Sequence, residues 1–146
     1  MKKLALAALL AIFGIVCAWA QNPEKSKNAK EEVKVDILGE TSQSWDGATL
    51  PNYPATTPKI TILRYTFPAH QRLSPHVHSI INCGVMLKGE LTIVAMDGRE
   101  HTFKEGDVVM EMIGAVHYGE NHSNEEAEVI MFYAGTEGLP LKEEAK

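Results

Sequence analysis

The chain has 146 residues, a length for one domain, with 45% hydrophobic residues and a formal net charge of −5. An acidic balance argues against nucleic acid or an anionic membrane as the partner. The two cysteines, Cys17 and Cys83, lie in very different contexts, and only one of them is expected in the mature chain.

Met1-Lys2-Lys3 is followed by an apolar run from Leu4 to Cys17 and by Ala18-Trp19-Ala20. A basic start, a short apolar core and an Ala-x-Ala end predict a secretory signal peptide over residues 1–20, cleaved after Ala20. The run is short for a membrane span. Val16 before Cys17 disfavours a lipoprotein signal, which wants a small residue there. The mature protein is therefore expected in the periplasm or outside the cell, with no membrane attachment after cleavage. Without Lys2 and Lys3, 12 basic residues face 19 acidic ones. Cys83 is then alone, so no intrachain disulfide can form, and a buried core position is its simplest role.

Residues 21–32 are polar and rich in Lys, Asn and Glu, which predicts a flexible linker. Val33 to Leu38 alternates, with Val33, Val35 and Ile37 on one face, and predicts a first strand. Glu40 to Pro58 holds three prolines and Gly47 and reads as a loop. In it, Trp45 and Tyr53 either anchor an arm over the domain or a partner subunit, or pack as ordinary loop residues. Lys59 to Phe67 predicts a strong strand with both faces largely apolar, hence covered. Arg64 within it either holds an anionic substrate inside a barrel or keeps its head group in water.

Pro68 to Pro75 turns the chain into His76-Val77-His78. Side chains two apart on a strand share a face, so His76 and His78 project together. A third imidazole from a neighbouring strand completes three corners of a metal site. Val85 to Met96 follows, with a bend or bulge at Gly89. Asp97-Gly98 predicts a tight hairpin, and His101 to Phe103 returns from it. Further strands are expected at Val108 to Ile113, Val116 to Glu120 and Ala127 to Ala134. Gly135 to Lys146 reads as irregular, with residues 139–146 a charged tail that a short helix could end. No segment between Val33 and Ala134 has helical periodicity. Many short strands with Gly and Asp turns predict an all-β, antiparallel jelly-roll barrel over residues 33–138.

These spacings resemble the two motifs of the cupin superfamily. The first runs G, five residues, H-x-H, three or four residues, E, six residues, G. His76, His78 and Gly89 match it, Asn82 stands in the Glu place and His70 in the place of the opening Gly. The second runs G, five residues, P-x-G, two residues, H, three residues, N. Gly106, Gly114, His117 and Asn121 match it, with Met112 in the Pro place. The resemblance covers about Val33 to Gly138, and its Trp45-Asp46-Gly47 and Gly135-Thr136-Glu137-Gly138 segments look like those of small exported bacterial cupins.

The resemblance implies a divalent transition metal, Fe, Mn, Ni, Cu or Zn, held by His76, His78 and His117, with Asn82 as a weak ligand or just outside the ligand set. Two neighbours stand in for the missing carboxylate. Cys83 fits the place that some thiol dioxygenases fill with Cys, but strand alternation sets it out of phase with His76, His78 and Asn82. Glu111, in an otherwise apolar run, is either a general base near the metal or a solvent-facing strand residue, the simpler reading. His70 replacing Gly predicts a turn residue at positive φ. His101, His122 and Tyr118 are expected outside the pocket. The implied functions are a metal-dependent enzyme acting on a small molecule, a non-catalytic binding module, or a structural dimer with a vestigial pocket. A homodimer is the expected assembly. Nothing before the barrel reads as a helix-turn-helix, so a transcription factor is not expected.

Overall fold

The structure, a computed structural model, describes residues 33–145. The expected signal peptide and linker lie outside the described residues. The chain divides between Val35 and Asp36 into two compact units. The described part of the first, residues 33–35, has no regular secondary structure. The second carries the barrel.

Nine strands occur among the described residues: β1 Pro58–Phe67, β2 His76–Val77, β3 Ile81–Lys88, β4 Glu90–Ala95, β5 Glu100–Lys104, β6 Val108–Met110, β7 His117–Glu120, β8 Ala127–Thr136 and β9 Glu143–Glu144. They form two sheets, ordered β1-β8-β3-β6 and β5-β4-β7-β2-β9, with every pairing antiparallel. No helix is present among the described residues. The expected all-β jelly roll is therefore found. Its core lies between the sheets and includes Phe67, Met86, Ile93, Val109, Val129 and Met131. A fully buried Ile or Met of this kind contributes roughly 1.5–3 kcal/mol over its exposed state.

Turn chemistry sets the registers. Gly98 has φ of 90° in the β4–β5 hairpin, where Asp97 accepts from the Arg99 backbone N–H. At the β3–β4 junction Gly89 has φ of 68°, and a Cβ there would meet the Glu126 carbonyl oxygen at 2.9 Å. The β3–β8 register also shifts between Met86 and Lys88, so the expected irregularity is a bulge beside a tight turn. His70 does sit at positive φ, 58°, and its ring meets Asn124 Oδ1 at 3.0 Å.

Four expectations need correction. Val33 to Leu38 forms no strand, and Val33, Val35, Ile37 and Leu38 are exposed; alternation makes a strand only where a ladder partner exists, and none pairs with it among the described residues. On β1 only one face is covered. Leu63, Tyr65 and Phe67 turn inward, whereas Ile60 and Ile62 are more than half exposed, because the second sheet covers only the inner face of this one, and Phe132 opposite Ile62 on β8 is exposed too. The strand expected over Val108 to Ile113 stops at Met110. Residues 139–145 form no helix: β9 pairs with β2, matching Glu144 to His76 and Glu143 to Val77.

Trp45 anchors to this same barrel. Its backbone N–H donates to the Met110 carbonyl at 3.0 Å, its ring stacks on His101 and it packs against the core. Arg99 ties the loop to the hairpin by reaching both Asp46 and Asp97.

Candidate metal centre

His76 and His117 are direct register partners across β2 and β7. His78, two residues on from His76, brings the third ring to the same side. The three ring centroids are 4.9, 4.9 and 5.2 Å apart, and all three side chains are buried. Glu111 follows the end of β6 in phase with the inward Val109, and its backbone N–H donates to the Asn82 carbonyl at 3.3 Å. That alternation turns its carboxylate into the barrel, so the solvent-facing reading of Glu111 is overturned. The sequence carried this signal in the two-residue step from Val109, but a single acid in an apolar run does not tell which face is inside.

One donor atom from each of His76, His78, Glu111 and His117 lies within 4.8 Å of every other. Two ligands on opposite sides of one ion, each about 2.1 Å from it, span about 4.2 Å, so a small contraction closes the set around a cation. The tautomers agree. The Nδ1 of His76, His78 and His117 lies 2.8, 2.6 and 2.8 Å from the carbonyl oxygens of Ser74, Leu141 and Ala115. A carbonyl only accepts, so each Nδ1 carries the proton. Each neutral ring is left with its lone pair on Nε2, the arrangement that orients imidazole on a metal.

Glu111 Oε1 is 3.1 Å from His117 Nε2, and Oε2 is 3.1 Å from His78 Nε2. The first contact is aligned as a hydrogen bond. The second is not, and His78 Nε2 is buried without a hydrogen bond. Burial works against ionising Glu111, but the hydrogen bond from His117 and the electrostatic pull of His78 and His117 hold its pKa down to about 2. Burial likewise opposes charge on His117, yet the Glu111 carboxylate raises its pKa above the usual range. His76 goes the other way, lowered by burial, with the neighbouring rings adding to the effect. A proton on His117 can satisfy one contact of this group. A divalent cation engages the orphaned His78 Nε2 and the other donors together, so the residues present fit a metal.

Beside the cluster lies a small apolar cavity of about 30 Å³, lined by Phe67, Leu91, Ile93 and Val129 with Tyr65 and Tyr133 among others. Such a volume holds about two water molecules. The Tyr65 and Tyr133 hydroxyls are 2.9 Å apart. Burial pushes the Tyr133 phenol well above its usual pKa, so it stays a protonated donor.

Asn82 is fully buried between Glu111 and Tyr133 in the strand register, and neither its Oδ1 nor its Nδ2 has a hydrogen-bond partner. Arg64 does not join the site. It lies on the outer face of β1, largely exposed, 3.7 Å from Glu128. Cys83 is half-buried on the face opposite Asn82 and outside the four-residue cluster. Asn121, the last residue of the second motif, is a clamp. Its Nδ2 reaches the carbonyls of Phe67, Pro68 and Glu125, and its Oδ1 accepts from the Ser123 backbone and hydroxyl. Tyr118 lies under Arg72, 5.3 Å from its guanidinium, while His101 and His122 are exposed.

A family model described as a cupin domain matches residues 63–133. The search of curated proteins gave no match. Among solved structures, the chain is similar to an uncharacterized conserved protein with a double-stranded β-helix domain from Klebsiella pneumoniae subsp. pneumoniae. The match has 16% identity and a TM-score of 0.53, and covers 79% of this chain and 99% of that one. It is also similar to the polyketide cyclase RemF from Streptomyces resistomycificus, with 13% identity, a TM-score of 0.52 and 63% of each chain covered. Identities this low speak to fold alone.

Proposed function

This chain belongs to the cupin superfamily, and on that premise we propose that it is an exported metal-binding cupin that acts on a small molecule at one divalent transition ion. The ion would be held by Nε2 of His76, His78 and His117 and by the Glu111 carboxylate. The observation that carries this reading is the single direction of the donors: three imidazoles whose Nδ1 protons are spent on carbonyls, facing one buried carboxylate. Glu111 then supplies the anionic donor that Asn82 lacks, and Asn82 is left out of the ligand set. When bound, the ion supplies Lewis acidity toward an oxygen or nitrogen of the small molecule.

The chain's own groups support such a role. Glu111 offsets one positive charge, which favours divalent binding in a buried place. The apolar wall of the cavity excludes bulk water and strengthens polar contacts inside it. The tyrosine hydroxyls have two O–H protons and one bond between them, which leaves a donor for the bound molecule. A non-catalytic binder would use the same site, and consumption of the small molecule separates the two roles. The test of the site is isothermal titration of metal-stripped protein with Mn, Fe, Ni, Cu and Zn. Saturable binding of one ion that is lost in His117→Ala and weakened in Glu111→Gln supports the reading, and equal binding by all three proteins overturns it.

Export rests on the Lys2-Lys3 start and the Ala18-Trp19-Ala20 end. Intact mass of the secreted protein should give a chain starting at Gln21. A homodimer is supported by the exposed apolar side chains of Ile60, Ile62 and Phe132 that adjoin on the outer face. Light scattering at micromolar concentration should give twice the chain mass, and a monomer mass would refute the dimer.

A further inference from the structure

We propose that residues 139–145 form a strap that positions His78 for the metal, so that strap docking and metal binding favour each other. The inference rests on the metal reading above. The contrast among the three histidines points to it. His76 and His117 orient their rings on carbonyls only two residues away, Ser74 and Ala115. His78 takes its acceptor from Leu141, 63 residues further along, at 2.6 Å, the shortest of the three. Two ligand orientations are therefore local properties of the β2 and β7 segments. The third depends on a distant piece of chain being in place.

That piece is lightly held. β9 has two residues, both exposed. The Ala145 N–H donates to the Pro75 carbonyl at 3.0 Å, the Leu139 N–H to Thr136 at 3.4 Å, and Leu141 packs against the core. Short exposed ladders of this kind open at low free-energy cost. With the strap away, His78 Nδ1 loses its acceptor and the ring is free to turn or to move its proton to Nε2, which then presents a proton instead of a lone pair. An ion on Nε2 selects the tautomer that donates from Nδ1, and thereby selects the docked strap. Coupling of this kind is reciprocal.

The test uses Zn²⁺ and the whole chain beside two variants. One ends at Gly138. The other, Ala145→Pro, removes the N–H that reaches Pro75, restricts the backbone at Glu144 and Ala145 within the strap, and leaves the rest of the sequence unchanged. Loss of such an outer contact on a ligating histidine typically lowers metal affinity about 10- to 100-fold. The shortened chain should fall in that range, and Ala145→Pro should fall in the same direction by less. In the whole chain, Zn²⁺ should also slow tryptic cleavage after Lys142, which lies in the strap. Should the shortened chain fail to fold, Ala145→Pro and the protease protection decide. A whole chain that binds neither Zn²⁺ nor any of Mn, Fe, Ni and Cu overturns both this proposal and the metal reading. A whole chain that binds Zn²⁺, with unchanged affinity in Ala145→Pro and no protection at Lys142, overturns the strap alone.

Discussion

Glu111 Oε1 stands 3.1 Å from His117 Nε2, a contact that crosses from the end of a strand in one sheet to the first residue of a strand in the other. It places a carboxylate among three imidazoles although the position where the family motif carries Glu holds Asn82. Glu111→Gln keeps the shape and removes the charge, so titration should show metal affinity at least about tenfold weaker, the loss expected for an anionic ligand with a long reach into a buried site. Asn82→Ala and Arg64→Ala should each change it less than about threefold, since neither is placed in the ligand set. A larger loss in Asn82→Ala than in Glu111→Gln would reverse the assignment.

Asn121→Ala should destabilise the fold. The side chain is fully buried and spans three carbonyls and Ser123. Removing it leaves several buried groups without partners, a loss of roughly 2–4 kcal/mol. Chemical denaturation should show a lower midpoint at unchanged slope. A midpoint equal to wild type would mean that the clamp contributes nothing.

Replacing both tyrosines, Tyr65→Phe together with Tyr133→Phe, should weaken a small anion bound at the site without weakening the metal, since either hydroxyl alone still offers one donor. The tyrosine pair has one donor left over and no second acceptor among the described residues. Losing one such bond corresponds to about 2- to 10-fold in affinity. Azide titration of the cobalt-loaded protein, followed by visible absorption, reads this directly. Equal azide affinity in wild type and variant would remove the tyrosines from the site.

Cys83 should react slowly. Burial raises its thiol pKa above the ordinary 9.0, and the reactive species is the thiolate. Alkylation by iodoacetamide should lag free cysteine at pH 8, and its rate should climb only at higher pH. The sign for stability follows: the folded chain holds this proton more tightly than the unfolded one, so the contribution is complete below pH 9 and lost as pH rises through the folded value. Bound metal should be unchanged in Cys83→Ser, whereas a large loss of metal would return the thiol to the site.

The barrel and its three histidines were legible because spacing encodes them. His76 and His78 share a strand face by parity, and the turns at Gly89, Gly98 and His70 carry the φ values that their places demand. Glu111 was legible only as an alternative, since parity shows that it shares a face with Val109 but not which face is buried. Arg64 was ambiguous for the same reason: an apolar run on β1 suggests two covered faces, and only the packing of the two sheets shows that one of them is open. Least visible was the strap. A backbone carbonyl has no sequence signature, and nothing in Leu141 announces that His78 will use it. Val33 to Leu38 shows the converse, a clean strand pattern with no ladder to join among the described residues.

The most direct test of the central claim is elemental analysis of untagged protein after incubation with Mn, Fe, Ni, Cu and Zn and removal of loose ions, run beside His78→Ala. The account predicts about one transition-metal ion per wild-type chain and close to none in the variant, because His78 Nε2 is a buried donor atom without a hydrogen bond that faces the other three ligands. Wild-type protein that retains no more metal than His78→Ala would contradict it.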